Sequence, residues 1–249
     1  MRVLSYNIHK CIGGRDRRYR PERTLAAIAG EEPDVICLQE VDTNVRRSQF
    51  HDQPTMFSDI LGEKLGLAEH IFQLTVPIAQ GGYGNLILSR YPLETRHAVC
   101  LRRGRRKPRG AQVVIVRTPD GPLRLVNWHL GLAERERHWQ VRKLLTDTDF
   151  CNGDGLPSLI IGDFNDWRNT LAAGPFTEHG YTKLTWPPKE FRSFPAYMPL
   201  GALDKAFARG GIVLDRARVV QNRLTKDASD HLPLVVDFGV RAEAAKATA

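Results

Sequence analysis

The chain has 249 residues, 42% hydrophobic and 26% charged, an ordinary composition for one large or two small globular domains with a substantial core. No apolar run approaches the roughly 20 residues of a membrane span, and the N-terminus is already strand-like with no leader pattern, so a cytoplasmic location is expected. The formal charge of +8 is mostly local: Arg102-Arg103-Gly104-Arg105-Arg106-Lys107-Pro108-Arg109 holds six positive charges and leaves +2 for the rest. Such a run reads either as a solvated loop or as one facing a phosphate-bearing substrate, nucleic acid or an anionic lipid surface.

Residues 3–8 read as a first buried strand ending at Asn7, with His9 just beyond. A basic, glycine-containing loop follows. Pro21-Glu22-Arg23 then opens an amphipathic helix to Gly30, with Leu25, Ala26 and Ile28 on its buried side. Residues 34–41 form a second buried strand carrying Glu40 near its end, 55–66 a helix and 69–76 a strand. Gly81-Gly82-Tyr83-Gly84 leads into a strand at 85–89. Neither a GK[ST] triplet nor a helix start follows, so the glycines match no phosphate loop or dinucleotide fingerprint. Further strands are expected at 93–101, 111–117 and 123–130, the last two joined by an Asp120-Gly121 turn and ending at His129. Residues 134–150 carry the longest helical pattern, with Trp139, Val141, Leu144, Leu145 and Phe150 on one face.

The stretch Leu159-Ile160-Ile161-Gly162-Asp163-Phe164-Asn165-Asp166 follows. Its β-branched run reads as a buried strand, with Gly162 expected to turn the backbone tightly. In extended geometry Asp163 and Asn165 would share one face while Phe164 anchors the other. These residues alone read equally well as a polar turn or as a site for a hard metal ion or a phosphoryl oxygen. A loop-rich region then scatters Trp167, Phe176, Tyr181, Trp186, Phe191, Phe194 and Tyr197, in the main expected as core or loop anchors. Strands begin at 201–207, with Asp204 at the start, and at 212–221. Asp230-His231 precede a closing strand at 234–238, and the Ala/Lys/Glu-rich tail from Arg241 is expected to fray.

No linker or short repeat divides the chain, so residues 1–240 read as one domain. Some ten strands against three or four helices exclude a regular alternation of strand and helix and favour two packed sheets with helices outside. The four cysteines, Cys11, Cys37, Cys100 and Cys151, lie far apart with no CxxC pair, which fits neither a disulfide framework nor a zinc site.

Asn7, Glu40, His129, Asp163, Asn165, Asp204, Asp230 and His231 all fall at or beside the end of an apolar strand. Four carboxylates crowded at one end of a sandwich require something positive among them. With oxygen donors predominating and no thiolate, Mg²⁺ or Mn²⁺ is the expected ion.

The blocks Ser5-Tyr6-Asn7, Leu38-Gln39-Glu40-Val41, Asn127-Trp128-His129-Leu130, Gly162-Asp163-Phe164-Asn165, Leu203-Asp204 and Ser229-Asp230-His231, in this order, resemble the endonuclease/exonuclease/phosphatase superfamily with its DNase I-like fold. The resemblance spans residues 3–239 and resolves the ambiguity over Asp163. It implies an α+β, four-layer α/β/β/α sandwich of two mixed sheets with outer helices and the site at one edge. It also implies Glu40 as principal metal ligand, with Asn7 beside it and Asp230 ligating directly or through water. Asp163 would orient or deprotonate the attacking water, and Asn165 would hold a phosphate oxygen. His231, oriented by Asp204, would bind or protonate the phosphoryl group, and His129 would face it as a second histidine.

Abasic-site endonucleases of the superfamily carry an Asp where this chain has His9, which lowers the weight of that activity. The string Tyr6-Asn7-Ile8-His9-Lys10, with Tyr83-Gly84-Asn85 and Pro108-Arg109-Gly110, is similar to a bacterial subgroup of metal-dependent hydrolases. Arg105, Arg106 and Arg109, with Tyr83 and Asn85, are assigned to substrate binding. The function expected is metal-dependent phosphodiester hydrolysis, with nucleic acid first as substrate. A phospholipid or small phosphoester on the same site is the alternative, and a silent binding protein on this fold the alternative of another class. No obligate protein partner is expected.

Overall fold

In the computed structural model, the described residues are 1–152 and 155–241. Strands β1 (Arg2–Asn7) and β2 (Val35–Thr43) run parallel, and helix α1 (Pro21–Ala29) makes the crossover between them. Their neighbours are antiparallel: β11 (Ile212–Val219) and β12 (Leu234–Val240) on one flank, β4 (Gly81–Ser89) and β3 (Glu69–Ile78) on the other. The second sheet repeats the plan. Strands β7 (Gly121–His129) and β8 (Ser158–Asp163) are its parallel pair, connected through helices α3 (Glu134–Leu145) and α4 (Thr148–Cys151). Around them lie β5 (Leu93–Cys100) and β6 (Gly110–Thr118) on one side, β10 (Asp204–Arg209) and the two-residue β9 (Thr182–Lys183) on the other. Helix α2 (Gln53–Leu65) packs outside the first sheet, while α5 (Pro175–Glu178) and α6 (Arg223–Ala228) are short.

Strands covered on both faces read as continuous apolar runs, and that is how β1, β2, β7 and β8 read. Val3, Val35 and Val236 of one sheet meet Val114, Leu125, Leu159 and Ile161 of the other in a core between the sheets. Leu4, Ile36 and Leu86 point the opposite way, against Ile28, Phe57 and Leu61 of the helices. Trp128, Ile160 and Phe207 do the same against Val141 and Leu144 of α3. This is the expected four-layer sandwich.

Parallel pairing sends the C-terminal ends of each central pair to the same edge. Asn7 lies opposite Gln39 with Glu40 next, and His129 lies opposite Asp163. The antiparallel β10 begins at that edge, with Asp204 paired to Asp163. Just beneath, Asn127 clamps the two sheets: its Nδ2 donates to Leu38 O (3.0 Å) and Leu86 O (3.2 Å), and its Oδ1 accepts from Gln39 Nε2 (2.8 Å).

Several details differ from the sequence reading. The single helix expected over 134–150 breaks between Leu145 and Thr148, where Asp147 caps α4 by accepting from Phe150 N. On α1 it is Thr24, Ala27, Ile28 and Ala29 that are buried, while Ala26 is exposed. Twelve strands occur among the described residues, and the expected frayed tail beyond Arg241 lies outside them. Among the described residues no helix is long and apolar enough to cross a membrane.

Gly162 serves close approach rather than a turn. It lies inside β8 at φ +145°, and a Cβ there would stand 2.2 Å from the Trp128 carbonyl oxygen on the neighbouring strand. Gly162→Ala should therefore destabilise the fold by more than about 2 kcal/mol, since backbone strain and a backbone clash act together. Urea denaturation checks this; a midpoint unchanged from wild type would refute it.

Candidate active site

Asp163 is buried at the tip of β8 and is the point on which the other side chains converge. Asn7 Nδ2 donates to its Oδ2 at 3.1 Å, and Asn165 N donates to its Oδ1 at 2.9 Å. His129 Nε2 lies 3.3 Å and His231 Nε2 3.7 Å from Oδ2. On its other side His231 Nδ1 bonds Asp204 Oδ2 at 2.8 Å, and Ser193 Oγ donates to that same oxygen at 2.5 Å.

The loop bearing His231 is fixed from three directions. Ser229 Oγ donates to Asn7 O (2.7 Å) and accepts from His231 N (3.3 Å), and Ala196 N donates to Asp230 O (2.7 Å). Gly14 packs so closely that a Cβ would stand 2.6 Å from Asp230 Cα. His231 is thereby held in place before any substrate arrives, which is what a preorganised site requires.

Glu40 occupies a bulge in β2, between Leu38 and Val41, with φ +58°. A non-glycine residue in that conformation stores strain, and such strain collects at functional sites. Beyond β1 the backbone does the same over three residues, His9, Lys10 and Cys11, at φ +45°, +59° and +62°. This left-handed turn brings the Lys10 ammonium against Glu40 Oε2 and His9 Nε2 to 3.8 Å from Asp230 Oδ2.

The electrostatics separate the groups. Burial would raise the Glu40 carboxyl, but the Lys10 ammonium bonded to it holds it well below the usual carboxylate range. Burial pushes the Asp163 carboxyl up to about 6, helped by Asp204 and opposed by His231. His231 moves the other way from what burial favours: Asp204 and Asp163 draw it up to about 10. Burial and the neighbouring Arg109 charge hold His129 well below its ordinary value. At neutral pH a cationic and a neutral imidazole thus flank one carboxylate. Groups driven apart in this way suit opposite roles in proton transfer.

The oxygen donors of Glu40, Asn7 and Asp230 fit a hard divalent ion in chemical type. Glu40 is held ionised and already accommodates a positive charge, the Lys10 ammonium. Asn7 Oδ1 accepts from His9 N at 3.1 Å and keeps a second lone pair. A separate compact cluster, His97, Asp147 and Asp149, has ligand atoms within 4.8 Å of one another. It lies on β5 and the start of α4, beside Arg124 and Leu156 near the opposite ends of β7 and β8, and takes no part in this site.

Tyr83, Asn85 and Arg109 join Glu40 and His129 around one narrow cavity. Arg105 and Arg106 do not reach it. The basic loop turns over 103–106, with Arg106 N donating to Arg103 O, and its tip lies beside Arg135, where Arg106 pairs with Glu136 at 3.4 Å. Only the returning limb, Lys107 to Arg109, comes back to the cleft. Asn165 also departs from expectation. The strand ends at Asp163 and Asn165 has φ +50°, so the two side chains share no extended face; Asn165 Nδ2 turns inward to Leu130 O at 3.0 Å. Phe164 does anchor the strand end, edge-on to Trp128 at 5.0 Å.

Lys10, Arg47, Ser193 and Ser229 belong to the site's surroundings without being site candidates in the sequence, whereas Lys107 belongs to the basic run that reads as solvated or phosphate-facing. Lys10 and Ser229 lie within the strings that carried the resemblance; Arg47 and Ser193 have no local signal. Of the scattered aromatics, Phe176, Tyr181 and Phe191 are core, whereas Trp167 and Trp186 are exposed. Phe194 stands 4.8 Å from the His231 ring, with Trp167 edge-on behind it at 5.7 Å.

A family model described as the Endonuclease/Exonuclease/phosphatase family matches residues 4–231. Protein YbhP of Escherichia coli K12 is 27% identical over 248 residues, covering 95% of each chain. An endonuclease/exonuclease/phosphatase structure from Beutenbergia cavernae superimposes with a TM-score of 0.81 at 23% identity, over 97% of this chain and 72% of that one. The mannosyl-6-phosphatase Bt3783 of Bacteroides thetaiotaomicron does so at 0.71 and 15% identity, over 96% and 99%.

Proposed function

The chain belongs to the endonuclease/exonuclease/phosphatase family and is a hydrolase of the phosphoesterase type, and from that premise we propose a Mg²⁺- or Mn²⁺-dependent phosphodiesterase acting on nucleic acid. The observation that carries the reading is the line Asn7–Asp163–His231–Asp204, with Glu40 alongside. Asp163 takes the proton of the attacking water, a task suited to a carboxylate raised toward neutrality. Asn7 and the Asn165 backbone N–H fix its two oxygens; Asn165 is thus a positioning residue, its Nδ2 being engaged by Leu130 O. His231, kept protonated by Asp204, neutralises a phosphoryl oxygen or gives its proton to the leaving oxygen. Neutral His129 donates a hydrogen bond to the same group. Glu40, Asn7 and Asp230 would hold the divalent ion, which supplies charge neutralisation on the phosphoryl oxygens when bound.

Phe194 and Trp167 beside His231 offer a stacking surface for a base, which favours nucleic acid. One observation favours the second reading, a small or lipid phosphoester: Arg105 and Arg106 lie off the cleft, so the basic loop offers a polyanion less than its charge suggests. The test is an EDTA-reversible activity screen over single- and double-stranded DNA, RNA, phospholipid vesicles and bis(p-nitrophenyl) phosphate. We expect hydrolysis that EDTA abolishes and Mg²⁺ or Mn²⁺ restores, greatest on nucleic acid. Activity indifferent to EDTA would refute the metal; activity confined to phospholipid would move the substrate to the second reading.

A further inference from the structure

The β4 side of the cleft holds more positive charge than its carboxylates can pair. Three cations surround the ring of Tyr83: Lys10 Nζ at 5.3 Å, the Arg47 guanidinium at 5.2 Å and Lys107 Nζ at 5.2 Å from its centroid. Arg109 lines the same cavity as Tyr83 and Glu40. Two carboxylates serve these four cations. Asp42 is taken by Arg47 through two bonds of 2.9 and 2.7 Å, and Glu40 by Lys10. Lys107 and Arg109 have no carboxylate within ion-pair reach among the described residues.

Arg109 makes the imbalance decisive, because it is only 5% exposed and its Nε has no hydrogen-bond partner. A buried guanidinium N–H without a partner is costly unless an acceptor meets it, and an anion is the acceptor its charge favours. Partial burial and the Arg109 charge together draw the Lys107 ammonium below its ordinary value, so the two cations strain against each other. The scissile phosphate alone does not match this excess: a diester phosphate carries a single negative charge, against the unpaired charges of both Lys107 and Arg109.

We propose that Arg109 and Lys107, backed by Tyr83, form a subsite for a second phosphate group on the substrate, beyond the one that is hydrolysed. This rests on the phosphodiesterase reading of the neighbouring cleft. Arg109 presents a planar fork suited to bidentate phosphate binding, and Lys107 adds a point charge over the Tyr83 ring beside it. The group is either the flanking phosphate of a nucleic acid chain or the second phosphate of a compact bisphosphate.

Titration calorimetry in saturating Mg²⁺ distinguishes these. Thymidine 3′,5′-bisphosphate is compared with thymidine 5′-monophosphate, and fructose 1,6-bisphosphate with fructose 6-phosphate. For wild type the bisphosphate of at least one pair should bind about tenfold more tightly or better, the gain expected of a charge-assisted bidentate contact. The nucleotide pair showing it assigns the flanking phosphate of a chain; the sugar pair assigns a compact substrate. In Arg109→Gln and Lys107→Gln the preference should fall to within about twofold. Lys107 is far less buried than Arg109, so that variant folds even if Arg109→Gln does not. Equal binding of both members of both pairs by wild type, or a preference that Lys107→Gln keeps in full, overturns the subsite. Hydrolysis of bis(p-nitrophenyl) phosphate, which has no second phosphate, is followed alongside: its absence counts against the phosphodiesterase, and its presence without any bisphosphate preference against the subsite alone.

Discussion

Asp163→Asn should lower turnover of any phosphodiester by about 10²–10⁴-fold, the range for loss of a general base, while leaving the protein folded and close to wild type in stability. Activity falls because the amide cannot accept a proton, though it keeps the shape of the side chain. Stability follows from the sign of the shift. Burial lifts the carboxyl from 3.8 to about 6, so the ionised form is disfavoured in the folded chain. That penalty is absent below the unfolded value and complete above about 6. At neutral pH the asparagine removes it, a gain on the order of 2 kcal/mol that is offset by the weakened contact with His231 and by the amide nitrogen facing the Asn7 or Asn165 donor. Thermal melts and turnover measured on the same preparation decide the matter. Activity within tenfold of wild type would remove Asp163 from the chemistry, and a large fall in melting temperature would make it a structural residue.

That a residue which opposes folding sits at the tip of a buried strand explains why the sequence could point to it. Asp163, Glu40 and Asp204 stand at the ends of apolar runs where nothing in packing calls for a carboxylate; the parallel pairs bring Glu40 and Asp163 to one edge, and the antiparallel β10 starts there with Asp204. The four layers were readable for the same reason: strands buried on both faces stay apolar throughout, and the helices carry one apolar stripe. What escaped was whatever depends on local backbone conformation. The bulge at Glu40 and the left-handed turn over His9, Lys10 and Cys11 use no glycine, so nothing in the residue types announces them. Asn165 fails the simple two-residue alternation because the strand ends at Asp163. The basic loop misled for a related reason: charge density is visible in a sequence, but the turn at 103–106 that sends Arg105 and Arg106 away from the cleft is not.

The Asp204–His231 pair yields the other large effect, and it has a signature in pH. His231→Ala should cut turnover by about 10²–10⁴-fold through loss of the proton donor. Asp204→Asn leaves the imidazole in place but removes the strongest attraction that carries it to about 10. Wild-type activity should rise with pH through about 6, as Asp163 ionises, and fall through about 10, as His231 loses its proton. Asp204 raises both groups, the carboxyl by like charge and the imidazole by opposite charge. Its neutralisation should therefore move both limbs of the profile to lower pH, so that the variant retains proportionately more activity at pH 6 than at pH 8. The linkage to stability has the same origin: the His231 contribution is complete below its unfolded value of 6.5 and is lost as pH rises through about 10, and the variant should lose that alkaline decline. A residue that merely packed beneath His231 would lower turnover equally at every pH. A profile of unchanged shape in Asp204→Asn would reduce Asp204 to such a role.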